Sequence, residues 1–134
     1  MSFTAQANEK LKSNGYKLTS AREDVVMVLA CACKPLSPYE IKEILERDNK
    51  NYQVISIYRV LELLQELDLV HKIYSINSYQ ICDSDRKHHH KFLICKKCNS
   101  VDTVELKSSS TQQAKNFIVV EEINEALGLC SKCQ

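Results

Sequence analysis

The chain has 134 residues, enough for one sizeable core or two small ones. Its 18 Lys and Arg nearly balance its 17 Asp and Glu, leaving a net charge of +1, so bulk charge points to no partner and any nucleic-acid role must come from local arrangement. No apolar run is long enough to span a membrane, and Met1 to Lys10 lacks the basic-then-apolar pattern of a signal peptide, so the seven cysteines read as cytoplasmic thiols and metal ligands rather than disulfides.

Taken in order, Thr4 to Ser13 carries a helical pattern that ends at Asn14-Gly15, a C-cap and turn. Ser20-Ala21-Arg22-Glu23 reads as an N-cap with glutamate three residues on, a capping box. It opens an apolar helix through Val25, Val26, Val28, Leu29 and Ala32. Cys31 and Cys33, near its end, would point to different helix faces and read as core or idle thiols. Pro35 breaks the chain, and Ser37-Pro38-Tyr39-Glu40 is a second capping box with proline at the first helical position. Ile41, Ile44 and Leu45 form the buried stripe of that helix. A polar stretch from Asp48 to Gln53 precedes Ile57, Val60, Leu61, Leu64 and Leu67 at helical spacing.

Helix, short turn, helix at this size suggests a helix-turn-helix. The leading end of the last helix has Lys50, Asn51, Tyr52, Gln53, Ser56, Tyr58 and Arg59 and no acid, whereas its trailing end carries Glu62, Glu66 and Asp68. That polarity suits a recognition helix, whose N-terminal part meets bases and phosphates. It also suits an ordinary amphipathic helix with a solvated face.

After Leu67 the period changes to two. Leu69 to Tyr74 and Tyr79 to Cys82 read as strands joined through Ile76-Asn77-Ser78. Three helices and a hairpin make a winged helix. Asp83-Ser84-Asp85-Arg86-Lys87 is a polar hinge, dividing the chain into residues 1–82 and 83–134. In the second part, Lys91 to Cys95, Val101 to Leu106 and Phe117 to Ile123 read as strands, with a Ser-capped helix from about Ser109 to Asn116. The expected class is α+β: an N-terminal winged helix-turn-helix domain and a small C-terminal α/β domain.

Two C-x-x-C pairs, Cys95/Cys98 and Cys130/Cys133, open and close the last third of the chain. Brought together, they make the four-thiolate site that zinc prefers, stapling a domain too small to be stable on its core alone. Lys96, Lys97 and Lys132 can offset the excess negative charge. The alternatives are redox C-x-x-C motifs, buried free thiols, or iron in place of zinc.

Four features together resemble the ferric uptake regulator family of metal-sensing repressors. They are Thr19-x-x-Arg22, Ser56-Ile57-Tyr58-Arg59-Val60-Leu61, His88-His89-His90 ahead of Cys95-x-x-Cys98, and Gly128-Leu129-Cys130-x-x-Cys133. The resemblance covers essentially the whole chain. It implies a homodimer on a double-stranded DNA operator, a dimerisation domain holding a four-cysteine structural zinc, and a second, regulatory metal site near the hinge. On the DNA it implies Arg59 near phosphate and Tyr58 at a base or sugar, within an expected contact set of Lys17, Arg22, Gln53, Ser56, Tyr58 and Arg59.

Leu69-Val70-His71-Lys72-Ile73 followed by Asn77-Ser78-Tyr79-x-x-Cys82 resembles the zinc uptake regulator branch. There the equivalents of His71 and Cys82 are ligands of the sensing zinc. Two departures from the iron-sensing pattern agree: Phe92 stands where a histidine is usual, and no histidine precedes His71. The remaining ligands are ambiguous. Counting from Cys82 selects His90, and counting back from Cys95 selects His88. For the carboxylate, Glu105 is preferred over Asp102, because it shares the strand face of Thr103, where the family count falls. The expected function is a zinc-responsive repressor of metal uptake genes, with zinc both structural and regulatory. The rivals are an iron, manganese or peroxide sensor of the same architecture, or a redox enzyme using its C-x-x-C thiols. No nucleophile–base constellation is visible, so catalysis is not expected.

Overall fold

The computed structural model describes residues 2–82, 89–106, 116–119 and 121–134, with His89 described by its backbone alone. The chain divides into two compact units, Met1–Asp83 and Ser84–Gln134.

The first unit holds four helices and a hairpin: α1 (Phe3–Ser13), α2 (Ser20–Cys31), α3 (Pro38–Arg47), α4 (Val54–Glu66), β1 (Val70–Ile73) and β2 (Ser78–Ile81). Helix α1 buries Phe3, Ala7 and Leu11, one residue per turn. Its C-cap is Asn14, whose side-chain amide donates to the Lys10 carbonyl at 2.7 Å, and Gly15 turns the chain at φ +82°. Helix α3 starts with both halves of the expected capping box. The Glu40 N–H donates to Ser37 Oγ at 3.2 Å, and the Ser37 N–H donates to Glu40 Oε1 at 3.0 Å. That backbone donor holds the Glu40 carboxyl below its ordinary range.

The capping box expected at Ser20 is not formed. Thr19 is the N-cap, its hydroxyl accepting from the Arg22 N–H at 3.3 Å. The third helical residue is then Arg22, not Glu23, so no carboxylate can return the bond.

The core of this unit is the meeting of the apolar stripes the period predicts. Val25, Val26 and Leu29 of α2, Ile41 and Leu45 of α3, and Ile57, Leu61 and Leu64 of α4 are all at most 2% exposed. A leucine buried like Leu61 stabilises by roughly 2 kcal/mol on transfer alone. The hairpin runs antiparallel, with His71 opposite Gln80 and Ile73 opposite Ser78. Its turn is a single 3-10 turn (Tyr74–Ile76) closed by Asn77 in the left-handed conformation, φ +47°. Leu36, between α2 and α3, adds one more rung, exchanging backbone hydrogen bonds with Tyr79 at 3.0 and 2.8 Å.

The second unit contains a three-stranded sheet in the order β4-β3-β5, from β3 (His89–Cys95), β4 (Val101–Leu106) and β5 (Glu125–Gly128). Strands β3 and β4 are antiparallel, and β5 lies parallel to β3. The third strand is therefore not Phe117 to Ile123. Residues 117–119 and 121–124 have no strand structure, and Phe117 and Ile118 are 70% and 88% exposed. The edge of β3 is instead taken by the segment that leads directly into Cys130. The helix expected from Ser109 to Asn116 lies outside the described residues, apart from Asn116 in a turn. Among the described residues, no helix is long and apolar enough to cross a membrane.

Candidate metal centre and nucleic-acid interface

Strand pairing brings the two C-x-x-C turns together. Cys95, at the end of β3, is the register partner of Gly128, two residues before Cys130. The Lys96 N–H donates to the Gly128 carbonyl at 2.8 Å, locking the turns side by side. The first turn closes with the Asn99 N–H on the Cys95 carbonyl at 2.9 Å and Asn99 at φ +61°; the second closes with Cys133 N–H on Cys130 O at 3.0 Å. The sulfurs of Cys95, Cys98, Cys130 and Cys133 all lie within 4.8 Å of one another. Zinc–sulfur bonds of about 2.3 Å in a tetrahedron require edges of about 3.8 Å, and Cys98 and Cys130 stand 3.7 Å apart. The donor set and its size therefore fit a tetrahedral thiophilic cation.

The thiols hold their protons unequally. Backbone N–H groups of Cys130 and Cys98 bring the Cys95 thiol down to about 6. The neighbouring sulfurs, Cys130 first and then Cys95, push Cys133 up to about 12. The hydrogen bond from Cys133 in turn lowers Cys130. Negative charge concentrates on part of the cluster, and full ionisation needs a cation.

The second candidate group begins on the hairpin. Gln80 and Cys82 share a face by the period of two, and Gln80 is the cross-strand partner of His71. His71 and Cys82 are thus on one face, their ligand atoms within 4.8 Å of each other. Cys82 is buried and tied by its N–H to the Leu69 carbonyl at 2.9 Å. In the second unit, His90 on β3 is the direct cross-strand partner of Glu105 on β4, whereas Asp102 faces Leu93. The His90 ring packs near Phe92, centroids 6.3 Å apart. Glu105 is exposed. His88 lies outside the described residues.

The expected DNA-contacting residues fall in two places. Gln53, Ser56, Tyr58 and Arg59 belong to the start of α4, whose first turn holds no acid and whose N-cap, Gln53, makes no side-chain capping bond. Arg59 is exposed. Lys17 is exposed in the loop before α2, and Arg22 folds back on that loop. Its guanidinium donates to the Lys17 carbonyl at 2.8 Å and lies 5.5 Å from the Tyr16 ring centroid. Arg22 therefore shapes the loop that presents Lys17.

Three side chains from outside α4 (Asn77, Tyr39 and Asp24) support its start, through contacts that sequence spacing does not show. Asn77 Nδ2, at the tip of the hairpin, donates to the Tyr58 hydroxyl at 2.9 Å, and Tyr39 meets the Tyr58 ring edge-on at 6.3 Å. Asp24 of α2 accepts from the Tyr52 hydroxyl at 2.6 Å and from Lys50 at 2.9 Å, clasping the segment before α4. Burial opposes the Asp24 carboxylate, but these two hydrogen bonds and the Lys50 charge together outweigh it, and its pKa is lowered.

The arrangement has counterparts among known proteins. The chain is 27% identical over 136 residues to the zinc uptake regulation protein of Escherichia coli (strain K12), covering 96% of this chain and 80% of that protein. It is 33% identical over 101 residues to the ferric uptake regulation protein of Bacillus subtilis (strain 168), covering 72% and 68%. A solved structure of a zinc uptake regulator complexed with zinc and DNA matches with a TM-score of 0.78 at 26% identity, covering 96% of this chain and 91% of that one. The model of the ferric uptake regulator family matches residues 13–125, most of the chain, and the chain belongs to that family.

Proposed function

We propose that the protein is a zinc-responsive, DNA-binding transcriptional repressor of zinc uptake genes, working as a cytoplasmic homodimer. The carrying observation is the pairing of His71 and Cys82 on one face of the hairpin. A thiolate beside an imidazole is a soft donor pair that suits tetrahedral zinc better than octahedral iron or manganese. Phe92, where the resemblance expects a histidine in iron sensors, argues the same way. So do the zinc named for the Escherichia coli relative and the zinc and DNA of the solved complex. The match to a ferric uptake regulation protein supports the second reading, an iron, manganese or peroxide regulator of the same family.

In this reading the four cysteines hold a structural zinc. His71 and Cys82 of the first unit and His90 or His88 of the second hold a regulatory one, with Glu105, rather than Asp102, as the carboxylate. Helices α2 to α4 with the β1–β2 hairpin act as a winged helix, with α4 in the major groove. A zinc held by ligands from both units restrains the hinge, and a dimer so restrained presents two recognition helices at the spacing of a two-fold operator. The reading is tested by titrating operator binding with zinc, iron(II), manganese and peroxide. Zinc is expected to promote binding at the lowest free concentration; promotion by iron or manganese at lower concentrations supports the rival.

Arg59 carries the phosphate contact in this reading. Arg59→Ala is expected to weaken operator binding at every sequence and to reduce the slope of log affinity against log salt by about one. Unchanged affinity with an unchanged slope would move the DNA surface away from α4.

A further inference from the structure

We infer that Ile55 is a specificity-determining residue that reads the 5-methyl group of one thymine in each operator half-site. The inference rests on α4 being the recognition helix. Ile55 is the second residue of that helix and is 51% exposed. The buried stripe of α4 is Ile57, Val60, Leu61, Leu63 and Leu64, so the core does not use it. Helix formation does not ask for it either, since a β-branched residue is a weaker helix former than the straight-chain residues that usually fill exposed positions.

An exposed isoleucine alone needs no explanation, but the neighbours of this one have a direction. Residues three and four further on share its helix face, and they are Tyr58 and Arg59. Tyr58 is fixed from two sides, by the Asn77 amide on its hydroxyl and by the edge of Tyr39, itself 59% exposed. Ile55 thus leads an apolar strip that ends in a cation, at a helix start with no acid in its first turn. Phosphates are not repelled there. The one apolar group that a base pair offers in the major groove is the thymine methyl, which aliphatic side chains contact.

The experiment uses the full-length, zinc-loaded protein and a duplex it selects from a random pool. Each thymine of a half-site is replaced in turn by deoxyuridine, which removes only the methyl. Wild type is expected to lose about fourfold in affinity at one position, and about fifteenfold when both half-sites carry the change. Ile55→Ala, an exposed change to a better helix former, is expected to stay folded, lose the same factor on the thymine duplex, and bind thymine and deoxyuridine alike there. Zinc-dependent binding by wild type with no deoxyuridine penalty anywhere, or with the penalty intact in Ile55→Ala, overturns the inference alone. Failure of wild type to retain any duplex overturns the DNA-binding reading and this inference with it.

Discussion

Cys133→Ser is expected to release the structural zinc and unfold the sheet of the second unit. Such a site rarely exists in the unfolded chain, so its metal-binding free energy is folding free energy, about 10–16 kcal/mol for structural zinc in small peptides. That is comparable to the whole stability of a typical domain, about 5–15 kcal/mol. Among the described residues the sheet has little to replace it: Phe92, Ile94 and Cys95 are buried, while Leu93, Val104 and Leu127 are 39%, 44% and 56% exposed. Cys95→Ser should behave alike, since β3 ends on that ligand. Hydrogen exchange should show β3 to β5 losing protection while α2 to α4 keep theirs, and the dimer should weaken. A stable zinc-free dimer of either variant would contradict the structural role.

Acid should act in the same direction. Zinc takes thiolates, so at neutral pH its uptake displaces a proton from Cys133, raised to about 12, and far less from Cys95, lowered to about 6. Affinity should therefore fall as pH falls, most steeply below about 6, where Cys95 must also be deprotonated. Calorimetry in buffers of different ionisation enthalpy reads the protons released.

The second large effect is expected at the sensor. Cys82→Ser and His71→Ala should each leave a folded dimer with its structural zinc and abolish zinc-stimulated operator binding. Neither residue belongs to the four-cysteine cluster, and the first unit has its own core, in which Ile41, Ile57, Leu61 and Leu64 are fully enclosed. Cys82→Ser keeps the shape of the side chain and removes the thiolate. Operator affinity with and without added zinc, for wild type and both variants, is the measurement. A wild-type response in the variants would remove the sensing site from the hairpin.

Much of this was legible in the chain because the interactions that decide it are local. Apolar spacing located α2 to α4, and Ser37 with Glu40 marked the start of α3 to the residue. Where two hydroxyls stand side by side, as at Thr19 and Ser20, spacing cannot choose. The choice falls to Thr19, and Arg22 then bonds back onto the Lys17 carbonyl. The third strand failed for a different reason. Phe117 to Ile123 has the composition of a strand, but a strand exists only where a partner edge is free. The edge of β3 goes to Glu125–Gly128, in the register that sets Cys95 beside Gly128 and so Cys130 beside the first turn. That constraint links residues 33 positions apart, such as Cys95 and Gly128, and leaves no trace in periodicity. The cysteine ligands themselves were legible from spacing, whereas the Asn77–Tyr58 and Asp24–Tyr52 clasps are tertiary and were not.

One zinc is expected to couple the hinge to DNA. A ligand shifts such an equilibrium only through its preference for one arrangement, and the coupling is reciprocal. Couplings of this kind are typically about 1–3 kcal/mol, a factor of about 5–150 in affinity. The direct measurement is zinc affinity at the regulatory site, in protein whose four-cysteine site is already filled, with and without saturating operator DNA. The expected result is that operator tightens zinc binding by the same factor by which zinc tightens operator binding. Zinc affinity unchanged by operator would contradict the account.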